Sequence, residues 1–221
     1  MQQESKQVVI ATRNAGKLKE FEGMFTTLGI QVKSLADYPD LSDVVEDKDT
    51  FAGNALKKAK EIALQLNTPV LADDSGLLVE ALGGEPGVYS ARYAGEPAND
   101  HANNAKLLRE LDSRIKPFTI PSSTAGAANG SVEEPQAYSL ASFVSALVLY
   151  DPADESFLVA EGTCSGYILA QPRGEQGFGY DPLFYMPTFG KTLAEMTLSE
   201  KNNVSHRANA LKKLMDLLKM D

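Results

Sequence analysis

The sequence is poor in the residues that mark several classes of protein, with one cysteine, two histidines and fewer basic than acidic residues. The single cysteine, Cys164, excludes an internal disulfide, and no cysteine and histidine cluster resembles a zinc site. Lysine and arginine number 21 against 30 acidic residues, which gives a formal net charge of -9. Nucleic-acid backbones and anionic membranes are bound through concentrated positive charge, so we expect neither as a partner.

Long apolar stretches are missing as well. Residues 1–7 are polar and lack the apolar run of a signal peptide, and no segment approaches the length needed to span a bilayer. The sequence also has no long run of like charges and no internal repeat. We therefore expect a cytoplasmic protein from a reducing compartment.

What the sequence does contain is enough apolar material for one substantial core. Of its 221 residues, 43% are hydrophobic and 23% are charged, a composition typical of a globular enzyme-sized protein. This length predicts a single domain over residues 1–221 that is built either as one body or as two intimate lobes.

Apolar spacing predicts alternating strands and helices in the first half of the chain. A run rich in β-branched residues at 7–11 predicts a strand, and apolar residues at helical spacing predict a helix over 18–28. A second helix is expected from the N-cap Thr50 to residue 66, followed by a buried strand that starts with 69–72.

The second half of the chain is more mixed. Asp100 is expected to cap a third helix, and residues 116–138 lack periodicity, which predicts a flexible loop or insertion. Strand-like runs at 142–150 and 157–169, separated by a turn, indicate an antiparallel hairpin. Ser205 is expected to cap the last helix. Together these elements indicate an α/β protein with a mixed β-sheet flanked by helices.

The loop between the first strand and the first helix is a candidate phosphate site. Backbone N–H groups, the helix dipole and a lysine converge there on a position suited to an anion. It is not a Walker A loop, because Leu18 follows the lysine and the first glycine is missing. A plain strand–helix turn capped by Asn14 is the alternative. The loop residues are Thr12, Arg13, Asn14, Ala15, Gly16 and Lys17.

Paired carboxylates, Asp73 and Asp74, follow the apolar run at 69–72 and are expected where that strand ends and the chain turns at Ser75. Strand ends are common ligand sites in α/β sheets. Carboxylates also suit magnesium, which bridges one or two acids to substrate phosphates. Glu46, just ahead of the second helix, is a further candidate ligand. For these acids a polar turn and helix capping are the alternatives.

Two further segments offer groups that would recognise a planar base. The first combines flexible backbone with two aromatic rings and an acid, and its alternative is a tight turn that exposes tyrosine. It consists of Phe178, Gly179, Tyr180 and Asp181. The second supplies donors near the start of the last helix, where cations oppose the helix dipole and call for a compensating anionic or electron-rich group. It consists of Lys201, His206 and Arg207.

In this order, these segments resemble the inosine triphosphate pyrophosphatase family, and the match extends over nearly the whole chain. The matching motifs are Ala11-Thr12-Arg13-Asn14-Ala15-Gly16-Lys17, Thr50-Phe51-Ala52-Gly53-Asn54-Ala55, Ala72-Asp73-Asp74-Ser75-Gly76-Leu77, Leu82-Gly83-Gly84-Glu85-Pro86-Gly87-Val88-Tyr89-Ser90-Ala91-Arg92-Tyr93-Ala94-Gly95, Gly177-Phe178-Gly179-Tyr180-Asp181-Pro182 and Ser205-His206-Arg207-Ala208. Each motif is weak alone, but their shared order makes a chance match improbable.

The resemblance implies a long mixed sheet in two lobes, a central substrate cleft and a homodimer. It implies that the residues from Thr12 to Lys17 hold the triphosphate and that Glu46 and Asp74 bind Mg²⁺. It further implies that Asp74 accepts a proton from the attacking water, supported by Asp73 and assisted by Lys17, and that Ser75 touches the substrate. The implied base pocket consists of Phe178, Gly179, Tyr180, Asp181, Lys201, His206 and Arg207.

The expected activity is hydrolysis of ITP, dITP and XTP to the monophosphate and pyrophosphate by attack of water on the α-phosphorus, which would remove aberrant purine nucleotides from the pool. One alternative is a pyrophosphatase of related fold that acts on modified pyrimidine or methylated nucleotides. Another is a nucleotide-binding module without turnover, although such a module would not need both the metal ligands and the base.

Overall fold

The computed structural model describes residues 7–120 and 135–219. Its strands are β1 (Gln7–Ile10), β2 (Gln31–Ser34), β3 (Val70–Val79), β4 (Phe118–Thr119), β5 (Gln136–Asp151), β6 (Ser156–Leu169), β7 (Phe184–Met186) and β8 (Lys191–Thr192). Its helices are α1 (Ala15–Thr26), α2 (Phe51–Leu66), α3 (Asp100–Arg114), α4 (Leu198–Val204) and α5 (His206–Leu217).

The strands form one mixed sheet in the order β2-β1-β3-β5-β6-β7-β8, with β4 paired to β5. β1 runs parallel to β2 and β3, whereas β7 runs antiparallel to both β6 and β8. Only residues 152–155 connect β5 to β6, which is too short for a parallel crossover and makes this pair antiparallel. The predicted α/β class, the mixed sheet and the hairpin are confirmed.

Alternate side chains of β1 enter two different cores, because successive residues of a strand point to opposite faces. Val9 packs with Val70 of β3 and with Ile62 of α2. Ile10 packs instead with residues of α1 and α5, including Phe21 and Leu211. Helices therefore cover both faces of the sheet at β1, which explains why this strand is an uninterrupted apolar run.

The chain divides into two compact units. The first contains Met1–Ser75, Val144–Thr163 and Leu198–Asp221, and the second contains Gly76–Phe143 and Cys164–Thr197. The long strands β3, β5 and β6 each contribute residues to both units. The three segments of the first unit are far apart in the sequence but pack together, so residues from the two ends of the chain share one core.

The helix starts agree closely with the capping signals. Asn14, Thr50 and Ser205 each accept a hydrogen bond from the backbone N–H three residues later. The prediction for α3 was wrong by one residue, because Asn99 is the N-cap and Asp100 is the first helical residue. Within the described ranges, no helix has both the length and the apolar character required to cross a membrane.

Two further sequence predictions need correction. Asp73 and Asp74 lie inside β3, which continues to Val79 instead of ending before them. β5 begins at Gln136, and β4 pairs with its first residues, so the ends of the expected 116–138 loop are strand. Polar residues interrupt the apolar alternation at both places. Ion pairs stabilise the strand at the first place, and pairing with β4 stabilises it at the second. The rest of that loop, 121–134, lies outside the described residues.

Candidate active site

Asp73 lies on β3 at the centre of a cluster of charged and polar groups in the first unit. Its Oδ2 is 2.8 Å from Lys17 Nζ and 3.3 Å from Arg207 Nε. Ser145, on β5, donates a hydrogen bond of 2.6 Å to Oδ1, and Ser75 donates one of 3.2 Å to Oδ2. The carboxylate is fully buried, so these contacts replace all of its hydration.

Glu20 extends this cluster to α1. It is 2% exposed and lies 2.6 Å from Lys201 Nζ and 2.9 Å from Arg207 Nη1. Burial raises the pKa of Glu20, but the charges of Arg207 and Lys201 outweigh it and hold the pKa below its usual value. Glu20 and Asp73 are thus the anionic groups that compensate Arg207 at the start of α5.

Sequence reasoning missed Glu20, although a signal was present. It stands four residues before Met24, a buried member of the apolar face of α1, and a glutamate on such a face needs a buried partner. That partner comes from the far end of the chain, 187 residues away.

Asp74 has different surroundings from those of Asp73. Its Oδ2 accepts a hydrogen bond of 3.0 Å from Asn54 Nδ2, and its Oδ1 accepts one of 2.9 Å from the Ser75 N–H. No ion pair shorter than 4.0 Å holds this carboxylate within residues 7–120 and 135–219.

The pKa values of the two neighbouring carboxyls are shifted in opposite directions. Burial opposes ionisation of Asp73, yet the ammonium of Lys17 and the guanidinium of Arg207 hold its pKa far below the usual range. Burial raises the pKa of Asp74, and the nearby charge of Glu46 adds to the increase against the opposing charge of Lys17. Adjacent acids whose pKa values are driven apart are typical of a site that needs one permanent charge and one proton acceptor.

Glu46 lies within electrostatic range of Asp74, as the sequence predicted. Lys58 on α2 pairs with Glu46 and also donates a hydrogen bond of 3.1 Å to the carbonyl oxygen of Asp73. Two carboxylates beside a backbone carbonyl form an all-oxygen donor set, which suits a hard divalent cation. Across the described parts of the chain, no group of three or more histidine, cysteine or acidic side chains is placed to hold a metal ion.

Residues 11–14 connect β1 to α1, and Ala15, Gly16 and Lys17 of the predicted loop belong to the helix, which begins three residues before the predicted 18–28. The two cations of the segment from Thr12 to Lys17 have different partners. Lys17 points to Asp73. Arg13 turns away to the segment after β2, where its guanidinium contacts the carbonyls of Leu35 and Leu41 and the carboxylate of Asp43. Arg13 therefore holds this segment in place. A contact between its guanidinium and a phosphate stays a prediction.

The remaining members of that loop have local roles. Asn14 Oδ1 accepts from the Lys17 N–H, and Thr12 Oγ1 accepts from the Asn14 N–H. Ala15 and Gly16 form the first turn of α1. The N–H groups of such a first turn are available to an anion.

The predicted aromatic segment lies in the second unit and forms a turn held by backbone hydrogen bonds. The Phe178 N–H donates to Asp181 Oδ2, and the Gly179 N–H donates to Asp100 Oδ2 at 2.7 Å. Tyr180 is buried, and its hydroxyl donates to the Ser90 carbonyl at 2.8 Å. The turn therefore does not expose its tyrosine, and the partly exposed aromatic ring is that of Phe178.

The three predicted donors near the last helix lie in the first unit. Lys201 belongs to α4 and not to the last helix, whereas His206 and Arg207 begin α5. All three side chains are buried. Burial, followed by the charge of Arg207, lowers the pKa of His206 well below its ordinary value, so its imidazole is neutral at pH 7.

The chain is similar to known proteins over nearly its full length. The Ham1 family model matches residues 8–217. Two relatives named dITP/XTP pyrophosphatase, from Geobacillus kaustophilus and Shouchella clausii, are 51% and 46% identical to this chain. Their alignments cover 95% and 96% of this chain and 92% and 96% of the relatives.

Solved structures agree as well. The Ham1 protein of Staphylococcus aureus is 40% identical with a TM-score of 0.74, and the match covers 97% of this chain and 98% of that protein. A HAM1 protein of Coxiella burnetii is 34% identical with a TM-score of 0.77, and the match covers 98% and 100%. By sequence over nearly its full length and by fold, this chain belongs to the Ham1 family.

Proposed function

We propose that the protein is a nucleoside triphosphate pyrophosphatase that hydrolyses dITP, ITP and XTP to the nucleoside monophosphate and pyrophosphate. The observation that carries this proposal is the adjacent pair Asp73 and Asp74, one locked in ion pairs and the other with a raised pKa. Two relatives are named dITP/XTP pyrophosphatase, which supports the same reaction and two of these three substrates.

In the proposed reaction, Asp74 accepts a proton from water as the water oxygen bonds to the α-phosphorus. The bond from the α-phosphorus to the oxygen bridging to the β-phosphate breaks, and that oxygen leaves with pyrophosphate. Asp74 suits this role because its raised pKa makes it a better proton acceptor than an ordinary aspartate.

Lys17 and the first turn of α1 would bind the triphosphate oxygens. Asp73 holds Lys17 Nζ at 2.8 Å, so the ammonium is already in place before substrate arrives. Preorganised charge of this kind lowers the barrier without reorganisation during the reaction. Ser75, which lies between Asp73 and Arg207, would touch the substrate from the same side.

The donor set fits a magnesium ion held by Glu46 and Asp74. When bound, Mg²⁺ would neutralise charge on the phosphate oxygens and lower the pKa of a neighbouring water. Lys58 now balances the charge of Glu46, and it would keep the Glu46 side chain directed at the site.

Base selection is assigned to the buried donors and to the aromatic turn. His206 and Arg207 would donate to the 6-oxo group of hypoxanthine or xanthine, whereas the 6-amino group of adenine would meet them with another donor. Two donors that face each other cannot form a hydrogen bond, so adenine should be rejected. Phe178 would stack on the base, and Gly179, Tyr180 and Asp181 would shape its pocket.

We further propose that the two units act as one functional domain and that the protein is a cytoplasmic homodimer. Sedimentation at assay concentration tests the dimer, and a monomeric mass would remove it.

The decisive experiment measures pyrophosphate release from ITP, dITP, XTP, GTP and ATP, with Mg²⁺ and with EDTA. We expect rapid release from ITP, dITP and XTP and little from ATP, and only with the metal. Equal efficiency on all five would refute selective removal of aberrant purines. Activity confined to modified pyrimidine or methylated nucleotides would favour the related-fold alternative, and tight binding without pyrophosphate would indicate a binding module.

A further inference from the structure

Asn54 is an uncharged residue at the centre of the site. It lies in the first turn of α2, its relative exposure is 0%, and its side-chain amide contacts both a carboxylate and a backbone segment. A fully buried amide of this kind needs partners for its oxygen and its nitrogen.

The backbone of Lys48 fixes the orientation of this amide. Asn54 Oδ1 accepts a hydrogen bond of 2.8 Å from the Lys48 N–H, and Nδ2 donates one of 3.3 Å to the Lys48 carbonyl. Because the Lys48 N–H requires an acceptor, the oxygen must face Lys48. The nitrogen is then directed to Asp74 Oδ2, at 3.0 Å.

One side chain thus joins two parts of the site that are distant in sequence. Asp74 is on β3, while Lys48 stands two residues after Glu46 in the segment that precedes α2. Lys58, four residues after Asn54 and hence on the same face of α2, pairs with Glu46. A single helix face therefore holds both carboxylates of the proposed cation site.

We infer that Asn54 is a positioning residue that orients the Asp74 carboxylate and keeps the Glu46 segment at a fixed distance from it. This inference rests on the proposed function, because it assigns Asn54 to the site where Asp74 and Glu46 act. The Asn54 amide contacts the Asp74 carboxylate and the Lys48 backbone, so its effect would pass through Asp74 and Glu46.

Asn103 provides a matched control. It is 2% exposed and lies in the first turns of α3, where its amide accepts from the Ala94 N–H at 2.7 Å and donates to the Ala91 carbonyl at 2.9 Å. Asn103 therefore holds a backbone segment in place through hydrogen bonds, as Asn54 does. Neither of these hydrogen bonds of Asn103 reaches a charged side chain.

The test compares Asn54→Leu with Asn103→Leu, since leucine is close to asparagine in shape and removes the hydrogen bonds in both. We expect both to lower the melting temperature, whereas Asn54→Leu alone should lower kcat for ITP about 10- to 100-fold, with a smaller change in KM. Mn²⁺ binding, measured by electron paramagnetic resonance without substrate, should weaken about tenfold in Asn54→Leu only.

Asn54→Asp is the second variant, in case Asn54→Leu does not fold. It keeps an acceptor for the Lys48 N–H and loses the donor to Asp74, so kcat should again fall at least about tenfold. Equal kcat and equal Mn²⁺ affinity in the parent and a folded Asn54 variant would overturn the inference. If the parent releases no pyrophosphate from any triphosphate, the proposed function fails, and the Mn²⁺ affinities still decide the role of Asn54.

Discussion

The charged cluster of the first unit and the aromatic turn of the second unit are held together by different forces. In the first unit, Asp73 and Glu20 are buried against three cations, and every close contact involves a charge. In the second unit, the turn around Gly179 is held by hydrogen bonds from the backbone N–H groups of Phe178 and Gly179 to the carboxylates of Asp181 and Asp100, and its glycines have positive φ.

This difference predicts how each region responds to change. A buried charge that loses its partner is strongly destabilised, so the first region should respond sharply to any change of charge. The second region depends on backbone conformation and on space, so it should respond to added side-chain atoms. The proposed function places the chemistry in the first region and the recognition of shape in the second.

The largest expected effect is on turnover in Asp74→Asn. Loss of the proton acceptor should lower kcat with ITP and Mg²⁺ about 10²- to 10⁴-fold. Stability should stay unchanged or rise, because the raised pKa of Asp74 means that its charge is unfavourable in the folded state. Pyrophosphate release and thermal unfolding measure the two quantities. Near-normal turnover would show that Asp74 is not the proton acceptor.

Asp73→Asn should show the reverse pattern at the neighbouring position, with a large loss of stability. Lys17 and Arg207 would lose their shared buried anion, so the free energy of unfolding should fall by about 3 kcal/mol, measured by urea denaturation. Asp43→Asn is the control, because Asp43 pairs with Arg13 at an exposed position and should cost at most about 1 kcal/mol. Equal losses in the two variants would contradict a charge-held core.

Gly177→Ala tests the region that depends on space. Gly177 has φ +79°, and an added Cβ would lie 2.1 Å from Asp181 Oδ2, so the turn must shift. We expect a loss of about 1–3 kcal/mol in stability and a higher KM for ITP. Gly190→Ala is the control, with φ +63° but nothing within 4 Å of the added Cβ, so its KM should not change. A similar KM in both variants would argue against recognition by this turn.

The smallest expected effect is a pH dependence from His206. Its folded pKa lies below the ordinary 6.5, so below pH 6.5 the unfolded chain binds a proton that the folded protein does not. Stability should therefore fall as the pH drops from 6.5 to 5, by at most about 1.4 kcal/mol per pH unit. The stability from Asp73 and Glu20 is lost only below their unfolded pKa values, near 4.

Urea denaturation at pH 7.5, 6.0 and 5.0 tests the dependence on His206. The difference between the parent and His206→Asn isolates His206 from Asp74, whose raised pKa acts in the opposite direction. His101→Asn serves as the control, because His101 is exposed. If His206→Asn keeps the parental slope between pH 6.5 and 5, another group carries it.

Local signals predicted the parts of this fold that local physics decides. Asn14, Thr50 and Ser205 mark helix starts because their side chains satisfy nearby backbone N–H groups. The positions of the loop between β1 and α1 and of the aspartate pair could likewise be found from the sequence. The continuation of β3 past Asp73 could not, because its stability there comes from Ser145 and Arg207, which are distant in sequence.

The partners of Arg13 and Arg207 could not be predicted from the sequence for the same reason. Composition and spacing identified Arg13 and Arg207 as cations near an anion site, but not that Arg13 would hold the segment after β2 or that Arg207 would bridge Glu20 and Asp73. Such pairings depend on the packing of the whole unit. Short strands such as β7 and β8 are missed in turn because two or three residues carry no periodicity.

The buried charged cluster also affects how the molecule attracts its ligand. Lys17, Lys201 and Arg207 carry three positive charges against the two negative charges of Glu20 and Asp73, which leaves a local surplus of one positive charge in a chain of net charge -9. Low-dielectric surroundings shield this surplus little, and mobile ions screen buried charges far less than exposed ones. In the proposed function, this surplus favours a small polyanion at the site, and raising the ionic strength should weaken that attraction only modestly.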